Sequence, residues 1–383
     1  MTTSDVDVKR IELPSGPMDE WVVEDAYKAW QKKEGVRVIV DFAFENLCAI
    51  ELSPWERKGG SGAFINVPNR HLSNDAQIVE IKPGGQSEPE HHMYEEMVYI
   101  LAGRGATSVW LDEKHKQTFE WHEGSLFAIP LNASYQHFNA SGTEPARYIA
   151  VTNAPPMMRL FRNEEFIFHT AVDFKNRYAG DDDYFSGKGT LYVRRVWEAN
   201  FIPNARDMPL YDFKARGAGN INVFLELAGN DTKAHISEFP VGTYKKAHKH
   251  GPGAHLLILS GEGFSVLWQE GEEYRKADWT KGGMVVVPTD DCWHQHYNTG
   301  KTRARYLALR HGNMGLWAPP GATTRASEAT WEGGGEQIEY EDEDPRLHEM
   351  FEADLAKNGA PCRMKAFSPT CTGEVGPTKE RDT

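Results

Sequence analysis

The segment AHISEFPVGTYKKAHKHGPGAHLLILSGEG, residues 234–263, falls on AQIVEIKPGGQSEPEHHMYEEMVYILAGRG, residues 76–105, when Gly261 is set over Gly103, an offset of 158. The same offset sets Trp268 over Trp110, Trp279 over Trp121, Gly282 over Gly124 and Pro288 over Pro130, and ARYLA (304–308) over ARYIA (146–150). QHFN (136–139) and QHYN (295–298) also correspond, after one inserted residue. Self-similarity of this kind marks two copies of one structural unit. Within each copy, runs such as EMVYIL, ATSVWL, LFAIP and ARYIAV are rich in β-branched and aromatic residues. Turns of Gly, Asn, Asp or Pro part them at intervals of about ten residues, the pattern of a barrel or sandwich. The expectation is an all-β chain with helices only on its flanks.

Five segments follow: an N-terminal helical and extended arm (1–59), a first barrel (60–155), a linker with a short helix (156–205), a second barrel (206–320), and an acidic segment with a helix (321–383). In the arm, DEWVVEDAYKAWQKKEG puts Val22, Ala26 and Trp30 on one helical face. In the linker, MMRLFRNEEF reads as one short helix, followed by the loop GDDDYFSGKG. DPRLHEMFEADLAKNG has Asp344 as its cap, Pro345 in the first turn and Asn358-Gly359 as its close. WEGGGEQIEYEDED, 331–344, reads as an acidic, solvated connector.

The 383 residues (43.2 kDa) give ample length for a buried core. A net charge of −14 and a pI near 5.6 argue against nucleic acid or anionic membranes as partners. MTTSDVDVKRIELPSG has no apolar core of the signal-peptide kind, and no apolar run is long enough to cross a bilayer, so a cytoplasmic location is expected. Cys48, Cys292, Cys362 and Cys371 form no CxxC pair, which excludes a zinc ribbon or redox dithiol of the usual spacing and fits a reducing compartment. Cys292 reads as a small packed side chain, or as lining of a site two residues from His294.

Side chains alternate along a strand, so His248 and His250 share a face, as do His294 and His296 in DDCWHQHYNTG. If both strands belong to one small barrel, three or four imidazoles converge inside it. Imidazole suits Fe, Zn, Cu and Ni. Spacing alone leaves open whether His294 or His296 is the third ligand.

These residues resemble the two motifs of the cupins, and the doubled chain resembles a bicupin: two double-stranded β-helix (jelly-roll) barrels in tandem. GTYKKAHKHGPGAHLLILSG (242–261) follows the first motif at His248, His250 and Gly261, and GMVVVPTDDCWHQHYN (283–298) the second at Pro288, His294 and Asn298. The motif glutamate is replaced by Ala254. Gentisate- and salicylate-type ring-cleaving dioxygenases, which are similar in this respect, use three histidines on Fe(II). The resemblance implies His248, His250 and His294 as ligands and His296 as a catalytic histidine that moves a proton. It implies an acid chelating through hydroxyl and carboxylate, O2 as co-substrate, and a homo-oligomer. On strand alternation, His255 points away from the metal.

Alternatives remain open. Mn, Zn or Ni could replace iron. Oxalate decarboxylases are bicupins that keep the glutamate on Mn, which makes a decarboxylase or isomerase a second reading, and storage or small-molecule-binding bicupins a third. In the first barrel Glu90, His92, Glu96 and His137 either surround an ion or pair with one another, with Tyr135 in place of the second-motif histidine. Arg305 and Arg310 are candidates for the substrate carboxylate. Trp268, Trp279 and Trp293 are candidates for aromatic walls or for barrel core.

Overall fold

The computed structural model describes residues 24–68, 72–250, 253–289, 292–312 and 336–373. Each copy of the repeat closes a large sheet over a three-stranded one. In the first barrel the large sheet is built on Gly60–Asn66, Asp75–Ile81, Ala146–Thr152, Glu96–Ala102 and Leu126–Ile129, and the small one is Ser134–Asn139, Arg104–Trp110 and Gln117–His122. The second barrel repeats this with Ile221–Glu226, Lys233–Phe239, Ala304–Arg310, Ala254–Ser260 and Met284–Val287 over Arg275–Thr280, Glu262–Trp268 and Trp293–Asn298. The chain is therefore all-β, two cupin barrels in tandem, as the repeat predicts.

Gly103 and Gly261 show why the copies superpose. Each turns one strand into the next at φ +88° and +83°, and a Cβ there would lie 2.8 Å from the Ala146 Cα and 2.7 Å from the Ala304 Cα. Only glycine meets both demands at no steric cost.

Strand alternation sorts the second barrel's core into two faces. Phe239, Ala254, Leu256, Ile258, Trp279 and Tyr306 fill its interior. Leu257, Leu259, Met284, Val286, Leu307 and Leu309 face the other way and join one apolar cluster with the first barrel. His255 shares that outer face. Its Nδ1 lies 2.7 Å from Asn74 Nδ2 across the seam, so it points away from the barrel interior. The barrels also exchange strands: Ala43–Phe44 pairs with Met284–Val285 of the second, and Phe201–Ile202 with Leu126–Phe127 of the first.

Helix α1 (Ala26–Glu34) starts where Asp25 accepts from Tyr27 N and packs Trp30; Val22 lies outside the described residues. The linker forms two helices rather than one, α2 (Ala154–Phe161) and α3 (Glu164–His169). Arg162 takes a left-handed conformation (φ +47°) and Asn163 caps α3 through Phe166 N, which breaks the run. Helix α4 (Pro345–Asn358) has the predicted ends, with Asp344 accepting from Arg346 N and Gly359 at φ +64°. It packs Leu347, Phe351 and Leu355 on the outside of the second barrel's small sheet. The solvated reading of the acidic connector needs correction. Gln337, Tyr340 and Glu343 are buried, because residues 336–338 add alongside Ala247–Lys249: Ile338 N donates to Ala247 O (2.9 Å) and Lys249 N to Glu336 O (3.0 Å).

Candidate metal centre

The HKH segment is held from both sides. Opposite the connector, His248 N donates to His294 O (3.0 Å) and His294 N to His248 O (2.9 Å). This reciprocal pair brings the two HxH sequences together at the mouth of the barrel. One ring nitrogen from each of His248, His250 and His294 lies within 4.8 Å of the others. The ring centroids of His248 and His294 are 4.2 Å apart, and those of His250 and His294 4.7 Å. His248 Nδ1 is 3.1 Å from Lys246 O and His294 Nδ1 is 3.0 Å from Cys292 O. A carbonyl only accepts, so each Nδ1 carries the proton and each Nε2 keeps its lone pair. That orientation is the one outer-shell carbonyls impose on metal-binding histidines. Burial, followed by the charges of neighbouring groups, pushes the histidines down, His294 to about 3 and His248, His250 and His296 far below the usual imidazole range. All four are neutral, the form a metal needs.

His296 belongs to a different network, deeper in the barrel. Its Nδ1 lies 2.8 Å from Ser265 Oγ, and Trp279 Nε1 donates to the same oxygen (3.0 Å). The Ser265 proton is then free for His296 Nδ1, which leaves the other imidazole proton on Nε2. The first barrel repeats the relay: Trp121 Nε1 donates to Thr107 Oγ1 (2.9 Å), which is 2.7 Å from His137 Nδ1. The described His296 ring is thus set apart from the three-nitrogen group.

In the first barrel the bridge between Glu90 and Tyr135 occupies the place of that between His248 and His294. Glu90, His92 and Glu96 do come together, but a residue that reading the motifs missed joins them. Lys58, fully buried, places Nζ 2.9 Å from Glu90 Oε1, 3.8 Å from Glu96 Oε2 and 3.3 Å from the Tyr135 hydroxyl. His92 Nε2 completes the cluster 3.0 Å from Glu96 Oε2. His137, pushed down to about 4 by burial, lies beside it with its ring 5.2 Å from that of Tyr135. The polar residues of this barrel pair among themselves around an ammonium.

The offset of 158 sets Arg216 over Lys58, a correspondence visible in the sequence as Lys58-Gly59 and Arg216-Gly217. Arg216 is buried, donates to Gln337 Oε1 (3.1 Å), and its charge bears on all four histidines. Arg310, at the end of its strand, bears on His250 and His294. Arg305 is a correction: it bonds Glu238 (2.7 Å) and the Met208 carbonyl (3.3 Å), held on the outer surface. Trp279 is barrel core, while Trp268 and Trp293 stack at 6.3 Å and line an external cavity of about 530 Å³ with Tyr274 and Ile338. Cys292 is buried, with Sγ 3.5 Å from Trp293 O and its carbonyl on His294.

Residues 77–152 match the Cupin domain family model. The chain carries a cupin domain. Auxin-binding protein T85 of Nicotiana tabacum is 24% identical over 142 residues, covering 34% of this chain and 76% of that protein. Among solved structures, oxalate decarboxylase of Bacillus subtilis is similar with a TM-score of 0.47 and 15% identity, over 72% of this chain and 78% of that one. Vicilin of hazelnut, Corylus avellana, is similar with a TM-score of 0.47 and 12% identity, over 72% of this chain and 86% of that one. No helix among the described residues is long and apolar enough to cross a membrane.

Proposed function

We propose that the second cupin barrel binds one divalent ion, iron by preference, on His248, His250 and His294, and acts as a dioxygenase on an acid that chelates through carboxylate and hydroxyl. The observation that carries this reading is the convergence of three neutral ring nitrogens with no carboxylate among them: Ala254 occupies the interior position that Glu96 fills in the first barrel. The donor set fits the ion, since imidazole suits Fe, Zn, Cu and Ni and the Nδ1 protons of two rings are fixed on carbonyls. When bound, such an ion keeps its full +2 charge and supplies open positions for the acid and O2.

The residues around it suit an anion. Arg216 and Arg310 are guanidinium groups able to receive a carboxylate through two parallel hydrogen bonds. His296, its Nδ1 accepting from Ser265, carries its proton on Nε2 and is the group that donates it to the reacting substrate. The paired carboxylates of the first barrel weigh against the decarboxylase reading there, because Lys58 already answers Glu90 and Glu96.

The test is metal analysis of untagged protein purified without added metal, with O2 uptake measured over a panel of hydroxy acids. Iron is expected in the wild type and its loss in His248→Ala. His296→Ala is expected to keep the iron and to lose about 10²–10⁴-fold in turnover. Iron that persists in His248→Ala overturns the ligand set. Iron lost in His296→Ala makes that residue a ligand, and bound iron without O2 uptake on any acid removes the dioxygenase reading.

A further inference from the structure

A second group of ligand atoms lies outside the barrel. On α4, His348 and Glu352 are one turn apart and share a face. The chain then turns back, and its last described segment brings Cys362 and Cys371 to the same place. One ligand atom from each of the four lies within 4.8 Å of all the others. Cys362 Sγ and Cys371 Sγ are 3.1 Å apart, and His348 Nε2 is 3.0 Å from Glu352 Oε1. A tetrahedral zinc ion, with bonds of about 2.0–2.3 Å, sets its ligands roughly 3.3–3.8 Å apart. Four donors in this group need only small movements to enclose one.

The hydrogen bonding behind His348 points the same way. Tyr244 donates its hydroxyl proton to Glu343 Oε1 (2.8 Å), and His348 Nδ1 lies 3.0 Å from the same hydroxyl. With that proton committed, Nδ1–H donates to the Tyr244 oxygen and Nε2 keeps a lone pair. That lone pair faces a carboxylate oxygen and two sulfurs, which are all electron-rich. A cation among them resolves the arrangement, and the Nδ1–H···O contact is the usual support of a metal-bound histidine. His348 and Cys371 are buried and Cys362 partly so, packed with Phe351 and Met364.

We infer that His348, Glu352, Cys362 and Cys371 form a zinc-binding clasp that fastens the C-terminal segment to the second barrel. Binding releases the two thiol protons to solvent and leaves two thiolates on the ion. The clasp bears on the segment that carries His248 and His250. Tyr244 lies four residues before His248, and Gly242 O accepts from Arg363 N (2.8 Å). At Gly242 (φ +69°) a Cβ would stand 1.9 Å from Pro361 O, so the chain between α4 and Cys362 closes directly on the start of that segment. This inference does not rest on the proposed activity.

The test uses the full chain carrying His248→Ala, which removes the barrel ion so that any remaining metal reports on the clasp. Under reducing conditions one zinc per chain is expected, released by a mercurial as Cys362 and Cys371 react. Cobalt(II) in its place is expected to show thiolate-to-cobalt charge-transfer absorption in the near ultraviolet, absent in Cys362→Ser. Glu352→Gln, a milder change that keeps both thiols, is expected to weaken cobalt binding at least about tenfold with the circular dichroism unchanged. Failure of the reduced protein to bind zinc or cobalt overturns the clasp. So does a mass two hydrogens lower with Cys362 and Cys371 unreactive, which means a disulfide, or a zinc that survives Cys362→Ser.

Discussion

Lys58→Met removes the ammonium from the centre of the first barrel and keeps most of the side-chain volume. Lys58 Nζ is 2.9 Å from Glu90 Oε1 and 3.8 Å from Glu96 Oε2, and both it and Glu96 are wholly buried. Burial pushes the Glu96 carboxyl up, but the Lys58 charge and the His92 hydrogen bond outweigh it and hold the group at about 2. The folded value lies below the unfolded value of 4.5, so this stabilisation is present above pH 4.5 and is lost as the pH falls towards 2. The difference amounts to about 3 kcal/mol, at about 1.4 kcal/mol per pH unit. Without Lys58 the buried Glu90 and Glu96 carboxylates lose the cation between them, and Glu96 keeps only its contacts with His92 and Tyr135, a loss of about 3–5 kcal/mol at neutral pH.

The assay is urea unfolding of wild type and Lys58→Met at pH 7.5 and pH 5.5. The variant is expected to lose about 3–5 kcal/mol at the higher pH and less at the lower, where its carboxyl can take up a proton. Lys58→Met/Glu96→Gln is expected to recover part of the loss, since a polar amide replaces one of the two charges while Glu90 keeps the other. A single variant within about 1 kcal/mol of wild type, with no dependence on pH, would refute the reasoning: some other cation would then already be balancing these carboxylates.

Ser265→Ala removes the partner of His296 Nδ1 and is expected to leave iron bound while kcat falls about tenfold or more and its pH profile shifts, with Ser265→Thr restoring both because threonine fills that place at Thr107; stopped-flow O2 uptake checks it. Glu343 is buried and pushed up to about 7 by desolvation, against hydrogen bonds from Gln295 and Tyr244 that act the other way. Its folded value exceeds the unfolded 4.5, so its contribution is fully present below pH 4.5 and lost as the pH rises through about 7. Relative to Glu343→Gln, the wild type is therefore expected to lose up to about 3 kcal/mol between pH 4.5 and pH 8 in urea unfolding.

The features readable from the chain are those written in adjacent residues. The repeat, the turn glycines Gly103 and Gly261, the α4 caps and the two HxH segments each lie within a few positions of one another. What escaped reading depends on residues that meet only in three dimensions. Lys58 and Arg216 come from a loop more than thirty residues before each HxH or its equivalent, and neither lies in a motif. The exchanged strands Ala43–Phe44 and Phe201–Ile202 are two residues each, too short for any period to show. The His348, Glu352, Cys362 and Cys371 group combines a helical face with a returning loop, so its spacing matches no familiar zinc pattern. The acidic connector was read from its average charge, whereas every third residue, Gln337, Tyr340 and Glu343, turns inward.

On the proposed function, the two barrels themselves give a reason for the second to take a ligand and the first not. Both insert a basic side chain from the same loop beside the same strand positions, Lys58 in one and Arg216 in the other. In the first barrel that charge meets Glu90 and Glu96, and hydrogen bonds to Tyr135 and His92 close the set without help from outside. In the second the corresponding positions are His248, Ala254 and His294, none of which is an acid. Arg216 and Arg310 bear on neutral imidazoles, and among the described residues the three-nitrogen group contains no carboxylate. Adding a divalent cation alone raises the positive charge of a buried site, which is costly where the effective dielectric is low. An acid that chelates the ion and faces the guanidinium groups cancels that charge. On the proposed function, ion and acid are then expected to favour one another's binding, and by linkage the coupling is equal in both directions. A barrel that had kept the motif glutamate would supply its own anion and lose that requirement.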